Sequence, residues 1–200
     1  MPRTKEAFEA MRHTTRQKIE AAALSLFARK GLAVKVGEIA EASGVSQGLM
    51  YSHYPSKDAL IAELVRQATT ISSKTVKDFS DSGGAAAGKI KRISDMMCQM
   101  FSDAPMGIDY FMFMVQVGMS GFTVPEASLY TAEFPNPAES LARVIGQGQA
   151  EGSVVQGDPL RLSVVYWAVI HGLCCYAVAG MPVSPEPKML NRILLREDFL

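Results

Sequence analysis

Residues 36–57 read VGEIAEASGVSQGLMYSHYPSK. In the first part of this stretch, VGEIAEA, apolar side chains recur at helical spacing and predict a short helix. Gly44 breaks that helix, and the hydroxyl of Ser46 is placed to cap a second short helix. The second helix must end before Pro55, because a residue that precedes proline avoids helical backbone angles. Two short helices joined by a tight turn that contains glycine form a helix-turn-helix.

A helix-turn-helix of this size cannot bury enough apolar surface alone, so neighbouring helices must complete its core. Residues 15–30, TRQKIEAAALSLFARK, carry apolar side chains on one helical face, and Gly31 ends that helix. Ser56 is placed to cap a fourth helix. The predicted buried stripe of the fourth helix consists of Leu60, Ile61, Leu64, Val65, Ala68 and Ile71.

The rest of the chain also shows helical patterns, without the alternation that predicts strands. Residues 78–89, DFSDSGGAAAGK, are small and polar and predict a flexible linker. Asp158 and Pro159 are suited to start a long apolar helix, and Gly180 and Pro182 to end it. Other helices are predicted at residues 89–103, 109–120, 138–150 and 188–195. We therefore predict an all-α fold.

Charge is unevenly distributed along the 200 residues, although the net charge is zero. Residues 1–57, called the head below, hold nine Lys or Arg against five Asp or Glu, a net charge of +4. Residues 58–200, called the body, hold eleven against fifteen, a net charge of −4. A basic head on an acidic body indicates that the head meets a polyanion.

The cysteines and the known catalytic motifs point away from other classes of protein. Cys98, Cys174 and Cys175 form no Cys-x-x-Cys pair, so neither a zinc cage nor a disulfide framework is indicated. Reduced cysteines are typical of the cytosol, and the first residues have no apolar core that would resemble a secretory signal. No common catalytic motif occurs. We expect a cytoplasmic protein that is not an enzyme and that holds no cofactor or metal.

Two stretches imitate sites of other kinds. Residues 83–89 spell G-x-x-x-x-G-K, but Ile90 stands where Ser or Thr would bind magnesium, and no apolar strand precedes the loop. Residues 162–181 contain no Lys, Arg, Asp or Glu and are long enough to cross a membrane. His171 lies within this run and no basic cluster flanks it, so we expect a helix in a core or subunit interface rather than in a membrane.

Three motifs follow one another from the first helix to the fourth: Thr-Arg-x-x-Ile-x-x-Ala-Ala-x-x-Leu-Phe, then Glu-Ile-Ala-Glu-Ala-Ser-Gly-Val-Ser-x-Gly, then Tyr-x-His-Tyr-Pro-Ser-Lys-Asp-Ala-Leu. Their order and spacing closely resemble the tetracycline-repressor (TetR) family of bacterial transcription regulators over residues 12–65. The resemblance implies a helix-turn-helix DNA-binding domain over residues 1–57, with its core at residues 12–57. It also implies a helical ligand-binding and dimerisation domain over residues 58–200.

In a helix-turn-helix the second helix lies in the major groove of DNA, and flanking groups hold phosphates. Gln47 can pair with adenine and Leu49 can contact a thymine methyl group, while Gly48 lets the backbone approach the DNA closely. The resemblance implies that Tyr51 and His53 donate hydrogen bonds to phosphates. Further contacts with the DNA are expected from Thr14, Thr15, Arg16, Lys35, Ser46 and Lys57.

The chain departs from the family pattern at several positions. Lys35 stands where the family usually has Thr, and a lysine can hold a phosphate but cannot cap a helix. Gln47 replaces a common Lys, and Leu49 replaces a common Thr or Ser. We therefore expect DNA binding to depend less on salt than in a lysine-bearing relative. Tyr54 stands where the family usually has Phe, so Tyr54 and the nearby Met50 are expected in the core.

The body is rich in methionine and aromatic side chains. The chain has twelve methionines, and several lie close to aromatic residues between Met96 and Met119. Such side chains form adaptable apolar pockets, although each can equally belong to an ordinary core. His171 and Cys174 are one turn apart, but two ligands do not make a metal site. The candidate ligand-binding residues are Met97, Met100, Phe101, Tyr110, Phe111, Met114, Tyr130, Trp167 and His171.

Residues 160–179 are apolar on all sides and are expected to form a homodimer together with the short, proline-flanked C-terminal helix. A two-fold dimer binds a pseudo-palindromic double-stranded DNA operator. The predicted function is that of a homodimeric repressor that a small, largely apolar ligand releases from its operator. The alternative is a helix-turn-helix DNA binder without a small-molecule inducer. The ligand, the operator, the regulated genes and the choice between repression and activation stay open.

Overall fold

The computed structural model describes residues 5–103, 105–122 and 136–200, and these residues form nine α-helices. The first four are α1 (Lys5–Lys30), α2 (Val36–Ser43), α3 (Gln47–His53) and α4 (Lys57–Asp81). The others are α5 (Ala86–Asp103), α6 (Pro105–Ser120), α7 (Pro137–Ala150), α8 (Pro159–Val178) and α9 (Pro187–Leu194). Extended pairing within the described residues is limited to one antiparallel bridge between Val154 and Leu195. The all-α prediction is confirmed.

Side-chain caps start three helices at the predicted positions. The hydroxyl of Ser46 accepts a hydrogen bond from the amide three residues on at 3.1 Å, and that of Ser56 accepts one at 3.0 Å. The carboxylate of Asp158 caps α8 in the same way at 2.8 Å. Gly44 has a φ of 68°, a left-handed conformation that ends α2. Local chemistry therefore fixes the turn of the helix-turn-helix and the start of the longest apolar helix.

The linker predicted at residues 78–89 is wrong, because only residues 82–85 separate α4 from α5. The ammonium group of Lys89 is buried, and it donates hydrogen bonds to the carbonyl of Ser80 at 2.9 Å and to the side-chain oxygen of Gln147 at 3.2 Å. These bonds hold the turn between α4 and α5 against α7. Small, polar composition predicted flexibility because the partner that orders the turn lies far away in the sequence.

Two other predictions differ from the structure. The first helix begins at Lys5 instead of residue 15, and its added turns are exposed, so no apolar periodicity marks them. Ile71, predicted in the buried stripe of α4, is 57% exposed, whereas Leu60, Ile61, Leu64, Val65 and Ala68 are buried as predicted. Ile71 lies outside both clusters of packed residues described next.

Buried apolar side chains form two clusters. The N-terminal cluster consists of Ile19, Ala23, Leu24, Phe27, Val34, Ile39, Ala40, Met50, Tyr54, Leu60, Ile61, Leu64, Val65, Phe113 and Val117. The C-terminal cluster is built on α5, α6, α7, α8 and α9, and its largest members include Ile90, Ile93, Met97, Met100, Met112, Tyr166 and Trp167. Met50 and Tyr54 are core residues, as predicted.

The helix α6 contributes large side chains to both clusters, and α1 also reaches the C-terminal cluster, through Ala28. Phe113 is fully buried in the N-terminal cluster, where its ring stacks on Phe27 with the ring centroids 5.9 Å apart. The preceding residue, Met112, is buried in the C-terminal cluster. At the start of α6 the largely buried carboxylate of Asp109 lies 3.5 Å from the guanidinium of Arg29 on α1. A movement of α6 therefore acts on α1 as well as on the body.

The long apolar helix α8 is buried on one side only. Val164, Val165 and Tyr176 are each about half exposed, at 52%, 51% and 55%. Among the described residues α8 is also the one helix that is long and apolar enough to cross a membrane by length and composition, a test that core helices of soluble proteins pass too. The short C-terminal helix α9 packs against α5 through Leu190 and Leu194. The exposed side of α8 is therefore an apolar face at the surface of the protein.

Gly148→Ala is expected to lower the free energy of unfolding by about 1–3 kcal/mol. The added Cβ would lie 2.3 Å from Val154 Cγ2 and 3.0 Å from Ala86 Cβ. Gly146→Ala is the matched control on the same helix, because no described atom from another part of the fold lies within 4 Å of its added Cβ. It should raise stability by about 0.5–1 kcal/mol through helix propensity. Urea unfolding followed by circular dichroism measures both, and equal effects would contradict this packing.

Candidate nucleic-acid interface

The helix α3 is anchored on one face and exposed on the other. Met50 and Tyr54 are at most 4% exposed and pack in the N-terminal cluster. On the opposite face Leu49 is 43% exposed and Tyr51 is 50% exposed, and Gln47 is exposed as well. The predicted base-reading side chains therefore share one open face, at the start of a helix that is fixed from behind.

The first two residues of α3 differ in their surroundings. The side-chain amide of Gln47 lies over Gly37 of α2, where a Cβ would come within 2.9 Å of Gln47 Nε2. Gly48 has open space around it, with no described heavy atom within 4 Å of a Cβ built there. A flat surface such as a DNA backbone could therefore approach α3 closely at Gly48.

Lys35 precedes α2 with an exposed side chain that makes no capping hydrogen bond, as predicted. The cap comes from Glu38, whose carboxylate accepts a hydrogen bond from the Lys35 amide at 3.0 Å. A hydrogen bond from Lys30 at 2.9 Å, followed by that amide bond, lowers the pKa of Glu38. An acidic residue three positions after the cap is a signal that the sequence carries and that our reading missed. The helix α2 therefore begins without a hydrogen bond that involves the ammonium group of Lys35.

Lys57 lies at the start of α4 and has an internal role. Its ammonium group donates to the carbonyls of Leu32 at 2.7 Å and Val34 at 3.3 Å, so it ties the turn between α1 and α2 to α4. An ammonium group has three N–H donors. These two bonds leave one donor for a phosphate.

The predicted phosphate contacts on α1 also have partners within the protein. Thr14 and Thr15 donate their hydroxyl hydrogens to the carbonyls of Ala10 and Met11 at 3.0 Å and 2.9 Å. Their oxygen lone pairs accept hydrogen bonds but cannot donate to phosphate. The structure places both residues on the same helix as Arg16, one and two positions before it.

Arg16 is held by three groups. Its Nε donates to Glu20 Oε1 at 2.8 Å, a second nitrogen lies 2.9 Å from Glu63 Oε1, and its guanidinium lies 5.3 Å from the ring centroid of Tyr54. The hydrogen bond from Arg16 to Glu20 raises the pKa of Arg16. The spacing of Arg16 and Glu20 on one helix could have predicted their pairing. Glu63 could not have been found in this way, because only the fold brings α4 next to Arg16.

His53, in the last turn of α3, is partly buried. Burial, together with the positive charges of Arg12 and Arg16, lowers its pKa. The imidazole is therefore neutral at pH 7 and donates through one ring nitrogen only. This form can still hold a phosphate through one hydrogen bond.

The structure does not bring all candidate ligand-binding residues together. Phe111, Trp167 and His171 form one aromatic group, with the Phe111 ring centroid 6.1 Å from that of Trp167 and 5.5 Å from that of His171. Tyr110 and Met114 lie on another face of α6 and pack against the N-terminal cluster. Met97, Met100 and Phe101 belong to or pack on the C-terminal cluster, and Tyr130 lies outside the described residues.

The aromatic group contains polar atoms that the core does not use. Trp167 Nε1 is buried and has no hydrogen-bond partner among the described residues. Burial lowers the pKa of His171, so its imidazole is neutral at pH 7. Burial also raises the pKa of the nearby Cys174 thiol to about 12. A search of the described residues finds no group of three or more potential metal ligands.

A surface groove that sequence reasoning missed lies beside α8. Its volume is about 540 Å³, and it is bounded by α8, the segment 181–185 and α9. The side chains that line it are mostly apolar and include Val169, Leu173, Tyr176, Met181, Met189 and Ile193. Proline spacing in the segment gave no hint of the groove, because its walls come from two helices that the fold brings together.

Comparisons with known proteins agree with this architecture. Residues 19–64 match the family model described as "Bacterial regulatory proteins, tetR family". No curated protein sequence matches the chain. The matched residues span the helix-turn-helix, the C-terminal part of α1 and the first two turns of α4.

Three solved structures illustrate the likeness in fold. A transcriptional regulator from Saccharomonospora viridis in complex with choline is 21% identical, with a TM-score of 0.64 over 90% of this chain and 93% of that one. A TetR-family regulator from Agrobacterium tumefaciens is 16% identical, with a TM-score of 0.65 over 90% and 98%. The SmeT–triclosan complex is 16% identical, with a TM-score of 0.61 over 94% of both chains. Residues 19–64 of this chain therefore match the tetR family model, and the chain is similar in fold to solved structures of TetR-family transcriptional regulators.

Proposed function

We propose that the protein is a homodimeric transcriptional repressor that leaves a pseudo-palindromic operator when a small, largely apolar ligand binds. The observation that carries this proposal is the exposed face of α3, where Gln47, Gly48 and Leu49 stand open while Met50 and Tyr54 anchor the helix. A helix held in this way can enter the major groove without disturbing its core. The protein would act in the cytoplasm, where the operator lies, and it would carry out no catalytic step.

On this proposal the exposed face of α3 contacts both bases and phosphates. Gln47 leaves Gly37 to pair with adenine, and Leu49 contacts a thymine methyl group. Tyr51 and the neutral His53 donate hydrogen bonds to phosphates, and the exposed ammonium group of Lys35 adds charge. Ser46 fixes the start of the helix through its cap, so its side chain positions the reading residues.

The ligand is proposed to bind beside the aromatic group of Phe111, Trp167 and His171. The similar structures that hold choline and triclosan support a small molecule in a body of this fold. A ligand with one hydrogen-bond acceptor would satisfy the buried Trp167 Nε1, which otherwise costs free energy. Because Phe111 lies on α6, such a ligand would act on the helix that also packs in the N-terminal cluster. A coupling of about 1–3 kcal/mol between ligand and DNA is typical.

The dimer is proposed to form through the exposed face of α8, extended by the groove beside α9. Val164, Val165, Val169 and Tyr176 are all more than a third exposed, and monomeric proteins rarely leave such a contiguous apolar face open. A two-fold axis through this face would present two copies of α3 to half-sites about 34–36 Å apart. The short α9 would contribute only its outward residues, such as Met189, because its inner side packs on α5.

A second candidate function is DNA binding without an inducer. It is favoured by the close packing of three candidate ligand residues, since Met97, Met100 and Trp167 are at most 9% exposed. A filled core would leave no room for a ligand. The unsatisfied Trp167 Nε1 favours the ligand-responsive repressor instead.

Fluorescence anisotropy on DNA from the protein's own upstream region tests the proposed function. Specific binding should resist non-specific competitor DNA and map to a pseudo-palindrome. Addition of apolar compounds that carry a hydrogen-bond acceptor should then release the DNA. Equal, weak binding to both DNAs would contradict the proposal, and specific binding that no compound releases would favour the DNA binder without an inducer.

Gly48→Ala separates DNA reading from folding. The added methyl group meets no described atom within 4 Å, so stability should stay the same or rise by about 0.5–1 kcal/mol. Operator affinity should nevertheless fall at least about tenfold, because the methyl group would meet the DNA backbone. Gly146→Ala is the control, since it is also unobstructed but lies on α7. Unchanged operator binding by Gly48→Ala would contradict the proposed approach of α3 to the groove.

Gln47→Lys should make operator binding depend more strongly on salt. An added phosphate contact should steepen the slope of log K against log salt by about 0.9. Anisotropy titrations at four or five salt concentrations measure this slope. Gln47→Ala is the matched control, which should lower affinity without steepening the slope. An unchanged slope in Gln47→Lys would mean that residue 47 does not approach a phosphate.

Val165→Asp should convert the dimer to a monomer, because the substitution places a charge on the exposed apolar face of α8. Sedimentation velocity measures the change. Ile71→Asp is the control, since Ile71 is equally exposed but lies on α4, outside the proposed interface. A wild-type protein that sediments as a monomer, or a Val165→Asp variant that stays dimeric, would overturn the proposed interface.

A further inference from the structure

A continuous chain of side-chain hydrogen bonds and one ion pair runs from the body to the end of α3. Its members lie on three helices and in the residue that follows a fourth: Tyr110 on α6, Gln67 and Glu63 on α4, Arg16 and Glu20 on α1, and Tyr54 directly after α3. Each link is a direct contact between two side chains. We call this set the polar network below.

At the body end of the polar network, the Tyr110 hydroxyl donates to Gln67 Oε1 at 3.1 Å. The nitrogen of the same amide donates to Glu63 Oε1 at 2.9 Å. One planar amide thus makes both bonds, its oxygen toward α6 and its nitrogen toward Glu63. A rotation of the Gln67 amide would break both bonds together.

Glu63 collects the bonds at the centre of the polar network. Its Oε1 accepts from Gln67 at 2.9 Å and from Arg66 at 2.7 Å, and it lies 2.9 Å from a guanidinium nitrogen of Arg16. The hydrogen bonds from Arg66, then from Gln67, and the charges of both arginines hold the pKa of Glu63 below its usual value despite partial burial. Glu63 is therefore ionised at pH 7, and the position of its carboxylate decides where Arg16 is held.

At the head end, one carboxylate oxygen joins two elements. Glu20 Oε1 accepts from Arg16 Nε at 2.8 Å and also from the Tyr54 hydroxyl. Tyr54 closes α3, since its amide donates to the Met50 carbonyl at 3.0 Å. The family resemblance implies phenylalanine at this position, which would fill the same core space without the hydroxyl. The link between Glu20 and the end of α3 is thus a property of this chain.

We propose that Tyr110, Gln67 and Glu63 are positioning residues for DNA reading, which act through Arg16 and Glu20 on Tyr54 and so set the end of α3. The inference rests on the proposed function in one respect, since it takes α3 as the reading helix. When α6 shifts, the Tyr110 hydroxyl leaves Gln67 and the amide is free to turn. Glu63 then loses the hydrogen bond from Gln67. The Arg16 guanidinium, which Glu63 and Glu20 share, is no longer held in one position.

Arg16 has a competing role, as the phosphate clamp that the sequence predicts. In the structure two carboxylates and the ring of Tyr54 already hold its guanidinium, so a phosphate would share a cation whose charge Glu20 and Glu63 already compensate. The two roles differ in their dependence on salt. Loss of a phosphate clamp lowers the salt slope by about 0.9, whereas loss of a positioning contact leaves the slope unchanged and weakens specific binding alone.

The test is a double-mutant cycle of Tyr110→Phe and Tyr54→Phe in the full chain. Each substitution removes one hydroxyl group and keeps the ring in its place. Each should weaken operator binding about 3–10-fold, and the double variant should bind no more weakly than the weaker single variant. Non-specific DNA binding and the salt slope should match those of the wild type. Anisotropy titrations on operator and non-specific DNA measure all three quantities.

Tyr166→Phe is the matched control. It also removes one buried hydroxyl, which is bonded to Ser94 at 3.1 Å, but it lies in the C-terminal cluster away from the polar network. Its operator affinity should stay within about twofold of the wild type, as expected for an independent site. A loss as large as that of Tyr110→Phe would show that any lost buried hydroxyl weakens binding, and the inference would fall.

Urea unfolding of the wild type, Tyr110→Phe, Tyr54→Phe and the double variant tests the polar network without DNA. The changes in unfolding free energy should be non-additive, because the two hydroxyls belong to one bonded set. Additive stability changes, a silent Tyr110→Phe, or operator effects that multiply would overturn the inference. If the wild type binds no DNA specifically, the proposed function fails, and the positioning role fails with it even where the stability cycle is non-additive. Specific wild-type binding with multiplicative effects would overturn the inference alone.

Discussion

The structure depends on the helix α6, whose large side chains pack in two cores. Phe113 of α6 stacks on Phe27 in the N-terminal cluster, while the adjacent Met112 is buried in the C-terminal cluster. Successive residues of a helix point about 100° apart, so neither face can move alone. Close-packed interiors do not deform continuously and instead exchange one arrangement for another. Regulated DNA binding on this fold therefore needs no residue that contacts both DNA and ligand.

Elements whose folding depends on contacts within a few residues could be predicted from the sequence. The caps at Ser46 and Ser56 and the break at Gly44 lie within one turn of the groups they satisfy, so the helix-turn-helix and the exposed face of α3 could be predicted. The ordered turn at residues 82–85 could not be predicted, because it depends on the hydrogen bond between Lys89 and Gln147 of α7. The aromatic group on α6 and α8 was anticipated only in part, since helical phase decides which side chains face which cluster.

Basic residues near a reading helix are not all available to DNA. Lys57 donates two of its three N–H groups to backbone carbonyls, and two carboxylates hold Arg16. The excess of nine basic over five acidic residues in the head therefore overstates the charge that is free to contact a phosphate. On the proposed function, Gln47 and Leu49 in place of a common lysine and hydroxyl shift recognition toward base edges and shape, which carry the sequence information.

A single core hydroxyl explains why so many charges meet beneath α3. The hydroxyl of Tyr54 is buried and requires an acceptor, which Glu20 supplies. A largely buried carboxylate requires a cation in turn, and Arg16 supplies it while sharing Glu63 with α4. A phenylalanine would need none of these groups. Fully satisfied polar networks rigidify the elements that they join and specify one arrangement of them. The hydroxyl at this position therefore converts a core contact into a defined orientation of α3.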